Sequence, residues 1–218
     1  MLARCYSGAV NGIDASTVEI EVNSTIGTSQ FAIVGLPDQA VKEARDRIPT
    51  ALKNQGLSSG REFDVTVNLA PADVRKEGPI YDLPIAAGLL RATGEIRNRR
   101  FSEYAFIGEL ALSGEVRRVR GVLPMVLEMR RIGRRAVFVP AGNAEEASIV
   151  DGIDILPVNT LQEVVQCLNG ERKIKSVYTD LADKVLGSRF AGDDFSDVKG
   201  QYAARKAHLR WPPPVGTT

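Results

Sequence analysis

Apolar and polar residues alternate along two stretches near the start of the chain. Leu2–Val10 and Ile13–Val22 read as strands, and in the second Val18, Ile20 and Val22 alternate with Glu19, Glu21 and Asn23, so one face is apolar and the other wet. Asn11-Gly12 between them is a hairpin turn signal. Ser29–Gly35 is a third strand whose denser apolar content predicts a more central place in a sheet. Gly35-Leu36-Pro37-Asp38 then turns the chain into a helix, with Asp38 as N-cap and Val41, Ala44, Ile48 and Leu52 on one stripe. Pro49 is expected to bend or divide that helix and Gly56 to end it.

The pattern changes period within one unit further on. Val65 and Val67 alternate with Thr66 and Asn68 as in a strand, Pro71 and the polar run Asp73–Gly78 break it, and Leu83, Ile85, Ala86, Leu89 and Leu90 then follow a helical spacing. Asp82 is the expected N-cap and Pro84 falls in the first turn, where a missing N–H costs nothing. A strand, a charged loop and a helix N-terminus in series is where α/β proteins place chemistry. Thr93–Arg100 is a polar, basic loop. Tyr104–Leu112 is a strand stopped by Ser113-Gly114, with a return through Glu115–Val119. Gly121–Ile132 is a helix burying Val122, Met125, Val126, Met129 and Ile132, and Gly133 is its C-cap signal. Short elements complete the series: a strand at Ala136–Val139, a helix at Ala144–Val150, a strand at Ile153–Val158 and a helix at Leu161–Leu168. The order predicts an α/β (α+β) fold, a mixed β-sheet with packed helices.

Composition narrows the function classes. The chain has 218 residues and a formal net charge of +1, so no global polyelectrolyte behaviour follows. Two cysteines, Cys5 and Cys167, stand in no metal or redox spacing, and no metal site is expected. No apolar run is long enough to span a membrane, and Asn11, Asp14 and Glu19 interrupt any signal-peptide core. The expectation is a cytoplasmic protein without membrane contact. Residues 1–170 form the domain, 171–200 read as a polar linker, and 201–218 as an aberrant tail ending in Trp211-Pro212-Pro213-Pro214.

Two motifs carry a family resemblance. Lys76–Ala86, K-E-G-P-x-x-D-L-P-I-A, resembles the loop of the Lon-protease-like, ribosomal-protein-domain-2-like fold at the N-terminus of the ComM/YifB family, the magnesium-chelatase-like competence proteins. Ile107–Pro124, IGELALSGEVRRVRGVLP, is similar to a strand-and-turn of the same superfamily. Asp193–Gln201 is similar to the lead-in to that family's AAA+ ATPase module, yet no G-x-x-x-x-G-K-[ST] phosphate loop follows. That implies a truncation or frameshift ahead of the module, or an expression boundary. For the full-length family the resemblance implies a hexameric ATPase handling DNA in natural transformation with ATP and magnesium, and for this chain no cofactor.

In Lon-like peptidases the loop carries a serine nucleophile with a lysine base downstream. The matching positions here are Ile80 and Leu123, so the resemblance implies that the dyad is lost and the chain is not an enzyme. What remains is the loop itself, Lys76, Glu77, Gly78, Pro79 and Asp82. Asp82 is expected to be structural, and Lys76 and Glu77 to be exposed charges or contacts to a neighbouring subunit or the ATPase ring. His208 is expected to be solvated in the tail. The other candidate is basic. Arg97, Arg99, Arg100, Arg117, Arg118 and Arg120, with Arg91, Arg130, Arg131, Arg134 and Arg135 nearby, form either a solvated face or a weak, sequence-independent DNA surface. A binding or oligomerisation module, a homo-oligomer included, is the first reading. A divergent hydrolase and a remnant of a disrupted gene are the alternatives.

Overall fold

The computed structural model describes residues 1–57 and 62–179. The predicted hairpin forms as β1 (Leu2–Asn11) and β2 (Asp14–Ile26), paired from Leu2↔Asn23 to Asn11↔Asp14 around Gly12, whose φ of 65° suits the turn. β3 (Phe31–Val34) and β4 (Phe63–Ala70) follow on either side of two helical pieces, α1 (Gln39–Lys42) and α2 (Ala44–Asn54). The break between those pieces falls at Glu43, and Pro49 is accommodated inside α2.

A 3₁₀ turn at Pro79–Tyr81 leads into α3 (Asp82–Thr93). The stretch expected as one strand from Tyr104 to Leu112 divides in two. β5 (Tyr104–Phe106) joins the main sheet, while β6 (Glu109–Leu110) pairs with β7 (Val116–Arg117) in a separate ribbon. The turn at Ile107-Gly108 separates them, because the amide of Ile107 bonds back to Phe138 and that of Gly108 bonds to Ile80. Then come α4 (Val122–Arg131), β8 (Ala136–Pro140), α5 (Ala144–Ala147), β9 (Asp154–Val158) and α6 (Leu161–Leu168).

The main sheet has seven strands in the order β3-β4-β2-β1-β5-β8-β9. β2 is antiparallel to both its neighbours, and every other neighbouring pair is parallel. Side-chain alternation splits the interior between two faces. Cys5, Ile20, Val67, Leu69, Phe106 and Phe138 pack with α2, α3 and α6, while Ala105, Val137, Val139 and Ile155 pack with α4 and α5. Helices thus cover both faces. The mixed α/β fold is as the sequence predicts.

One expected position is corrected. The third strand is the outermost of the sheet and not a central one, with burial alternating between half-buried Phe31 and Ile33 and exposed Ala32 and Val34. Its apolar residues rest on α2, which returns across them, so high local hydrophobicity reports the helix above and not a strand on each side.

Residues 171–179, assigned by sequence to a linker, run along β9. The Val177 N–H donates to the Ile155 carbonyl at 3.0 Å, and the Thr179 N–H donates to the Ser148 carbonyl at 3.0 Å. The remainder of the predicted linker and the tail, with Asp193–Gln201 and His208, lie outside the described residues. Among the described residues no helix is long and apolar enough to cross a membrane.

Candidate functional site

The loop after β4 is stitched to the chain that follows β3. The Lys76 N–H donates to Leu36 O at 3.3 Å, and the Asp38 N–H donates to Lys76 O at 3.0 Å. Asp38 does two further things. One carboxylate oxygen caps α1 by accepting the Val41 N–H at 2.8 Å, as its residue type predicted, and the other accepts the Gly78 N–H at 2.9 Å. Gly78 adopts φ 79°, ψ 169°, a conformation that essentially only glycine holds, so backbone shape calls for the glycine of K-E-G-P.

Two charges in the loop sit differently from expectation. Lys76 is fully buried, and its ammonium donates to the Pro71 carbonyl. Its burial lowers the amine's pKa. Glu77 is exposed as predicted and pairs with Arg75 at 3.1 Å. Asp82 is not an N-cap. The chain is already helical at Tyr81, so Asp82 begins α3 with its side chain turned inward and fully buried. There it accepts two bonds from the Arg47 guanidinium, 2.9 Å from Nε and 3.1 Å from Nη2, and one from the Leu110 N–H at 3.3 Å. Asp82 therefore ties α2, α3 and β6 together. Burial pushes its carboxyl pKa upward against the downward pull of Arg47.

Ile80 lies between the loop and the β5–β6 turn. Its carbonyl accepts the Gly108 N–H, and the Gly108 carbonyl accepts the Leu83 N–H, each at 3.1 Å. Gly108 allows this approach, since a Cβ there would lie 2.9 Å from Val116. The half-buried Ile80 side chain touches both hydrophobic cores and lines a cleft of about 780 Å³. Val10 and Ser16 of the hairpin form one wall, Glu77 and Pro79 another, and Arg118 and Arg120 a third. Asn143 holds that third wall by accepting from the Val119 N–H at 3.0 Å and donating to the Val119 carbonyl at 2.9 Å.

Leu123 is half-buried against the α4 side core and does not line the cleft, while its backbone N–H donates to Glu146 at 3.2 Å. Lys76 is likewise absent from the lining, and no serine or threonine hydroxyl contacts its ammonium among the described residues. Among those residues no three His, Cys, Asp or Glu side chains gather as a metal site.

The arginines do not form one surface. Arg100 lies near Glu103 at 3.9 Å, Arg135 approaches the same glutamate at 3.9 Å, and Arg134 donates to Ser102, all at the end of the sheet where β5 and β8 begin. Arg97 is nearby, its N–H donating to Asn169 just after α6. Arg99, in the loop between them, is exposed. Arg118 and Arg120 lie at the other end, beyond β8, and Arg117 pairs with Glu109 at 3.6 Å. Local sequence analysis missed Arg47, Ser16 and Asn143 as participants. Arg47 and Asn143 act through partners 35 and 24 residues away, which leaves no local pattern to detect, and nothing around Ser16 marks it.

Residues 20–143, from β2 through the cleft loop to Asn143, match the family described as subunit ChlI of Mg-chelatase. The chain is 40% identical over 209 residues to competence protein ComM of Haemophilus influenzae, covering 94% of this chain and 40% of that protein. It is 35% identical over 206 residues to the uncharacterized protein YifB of Escherichia coli, covering 94% and 39%. Over 170 residues it is 28% identical to the peroxisomal Lon protease homolog 2 of Caenorhabditis elegans, covering 74% of this chain and 22% of that one. It thus spans about two fifths of the length of ComM and YifB. With the family match running from β2 through the cleft loop to Asn143, and with relatives 35–40% identical over 94% of the chain, the chain belongs to the Mg-chelatase-like ComM/YifB family.

Proposed function

We propose that these residues form a non-catalytic binding and oligomerisation module within a Mg-chelatase-like protein. The observation that carries this reading is Ile80, a hydrocarbon wedged between two cores at the cleft, where a Lon-like peptidase would need a hydroxyl. Leu123 faces a core and Lys76 is spent on a carbonyl, so neither is placed to activate a nucleophile in the cleft. ComM is named a competence protein. On that likeness the module serves a protein that handles DNA during transformation in the cytoplasm, as part of a homo-oligomeric ring. ATP and Mg²⁺ belong in this reading to a full-length family member, and no residue described here is assigned to either.

The purified chain should leave fluorogenic peptides and casein uncut, with Lys76→Ala indistinguishable from it. Turnover that Lys76→Ala abolishes would overturn the reading. Light scattering tests assembly: a mass of several protomers is the expected result, and a strictly monomeric chain at high concentration would remove the oligomerisation half.

A further inference from the structure

β1 outlasts one of its partners. It pairs with β2 as far as Asn11↔Asp14 but with β5 only at Tyr6↔Ala105, because β5 leaves the sheet after Phe106. The two-residue turn closes on Asn11 and Asp14, and the Ser24 N–H donates to Met1 O, so odd-numbered residues of β1 bond to β2. Even-numbered residues therefore turn N–H and C=O the other way. The Gly8 carbonyl there accepts the Tyr81 hydroxyl at 3.3 Å. Val10 lines the cleft, and among the described residues no strand pairs with it on that side and no turn or loop bond reaches its N–H or C=O. An open strand edge inside a cleft is a template for another strand.

The charges around that edge do not cancel. Arg75 is neutralised by Glu77, and Glu109 by Arg117. Asp73 lies near Lys76, whose pKa burial lowers and the Asp73 charge only partly restores. Arg118 and Arg120, both exposed, line the cleft with no ion-pair partner among the described residues. We propose that the cleft captures an extended acidic peptide, which adds as a strand beside β1 at Val10 and sets its carboxylates on Arg118 and Arg120.

A peptide supplies both an N–H donor and a C=O acceptor for Val10, whereas a phosphodiester has no donor to give. The cleft also offers a nucleic acid little to stack on. Tyr81, its one aromatic among the described residues, is buried and its hydroxyl is already engaged. Guanidinium groups suit carboxylates by the same fork geometry that suits phosphate. Capture rests on the non-catalytic reading only in that the bound peptide is not cut.

The test is fluorescence anisotropy on the full chain with a fluorescein-labelled octapeptide alternating glutamate and valine. Its lysine counterpart, two versions N-methylated at alternate residues in either register, and labelled oligothymidylate are run beside it. The acidic peptide is expected to bind. The lysine peptide, one of the two N-methylated peptides, and the variant R118E/R120E with the acidic peptide should each bind at least about tenfold more weakly, a loss of about 1.4 kcal/mol. Both arginines are exposed, so the variant should keep the wild-type circular dichroism spectrum, and the N-methyl arm needs no protein variant at all. No binding of the acidic peptide, equal binding by R118E/R120E, equal binding of both N-methylated peptides, or oligothymidylate binding through these arginines in place of the peptide would each overturn capture. Peptide cleavage seen by mass spectrometry would sink the non-catalytic reading and leave capture standing.

Discussion

The pair of Arg47 and Asp82 makes the sharpest energetic prediction. Asp82 has a side chain with 0% exposure, and Arg47 retains 21%. Asp82→Ala leaves a guanidinium that still reaches water and keeps its bonds to Ala40 O and Glu43, so the cost is about 3 kcal/mol, the low end for breaking a buried pair. Arg47→Met is different, because it strands a carboxylate that has no route to solvent. That carboxylate takes up a proton instead, and each unit by which its pKa rises costs about 1.4 kcal/mol at neutral pH. The sign follows from linkage. A carboxyl whose folded pKa lies above its unfolded value of about 3.9 binds protons more tightly when folded, so the folded state gains as pH falls toward that value. Arg47→Met should therefore lose about 3 kcal/mol at pH 7 and clearly less at pH 5, while the loss in Asp82→Ala, which removes a carboxyl whose folded pKa is raised, should not shrink as the pH falls.

Urea unfolding followed by circular dichroism measures both variants. With a slope of about 2 kcal/mol per molar, a loss of 3 kcal/mol moves the midpoint by about 1.5 M. The double variant Arg47→Met/Asp82→Ala should cost less than the two single losses added, since it strands neither charge. Equal losses in Arg47→Met at the two pH values, or strictly additive single variants, would show that the pair does not act as a buried ion pair.

Two further expectations follow from packing and burial. Gly88→Ala would place a Cβ 2.6 Å from Val22 Cγ2, so overpacking of about 1–3 kcal/mol should exceed the helix-propensity gain of about 1 kcal/mol. The melting temperature should fall by a few degrees and recover in part when Val22→Ala is added; a rise in Gly88→Ala alone would refute the close approach. Lys76 has a pKa lowered by burial, so the folded state binds that proton less tightly than the unfolded chain, and stability rises as pH climbs from the folded value toward the ordinary 10.5. Relative to Lys76→Met, the wild type should gain stability between pH 8 and pH 10, and a constant difference across that range would argue for a solvated amine.

Periodicity made much of this fold legible. The switch from Val65/Val67 alternation to the Leu83–Leu90 spacing locates β4 and α3, Gly12 and Gly78 mark backbone of positive φ, and Asp38 marks a helix start through its capping side chain. What escaped was decided at long range. Ser29–Gly35 is apolar whether it lies central or at the rim, and only strand pairing settles which. Asp82 looks like any helix-starting acid until Arg47, on another helix, turns it inward. Lys76 looks solvated until the loop folds back to offer it the Pro71 carbonyl. The arginines crowd one stretch of the sequence but are divided between the two ends of β8 in space.

The stitching of Leu36–Asp38 to Lys76–Gly78 links two places that would otherwise be independent. The floor of the cleft hangs from the rim of the sheet, and Asp38 is the rivet. Shifting the outermost strand without shifting the loop beneath Ile80 requires breaking the bonds that join Leu36 and Asp38 to Lys76 and Gly78.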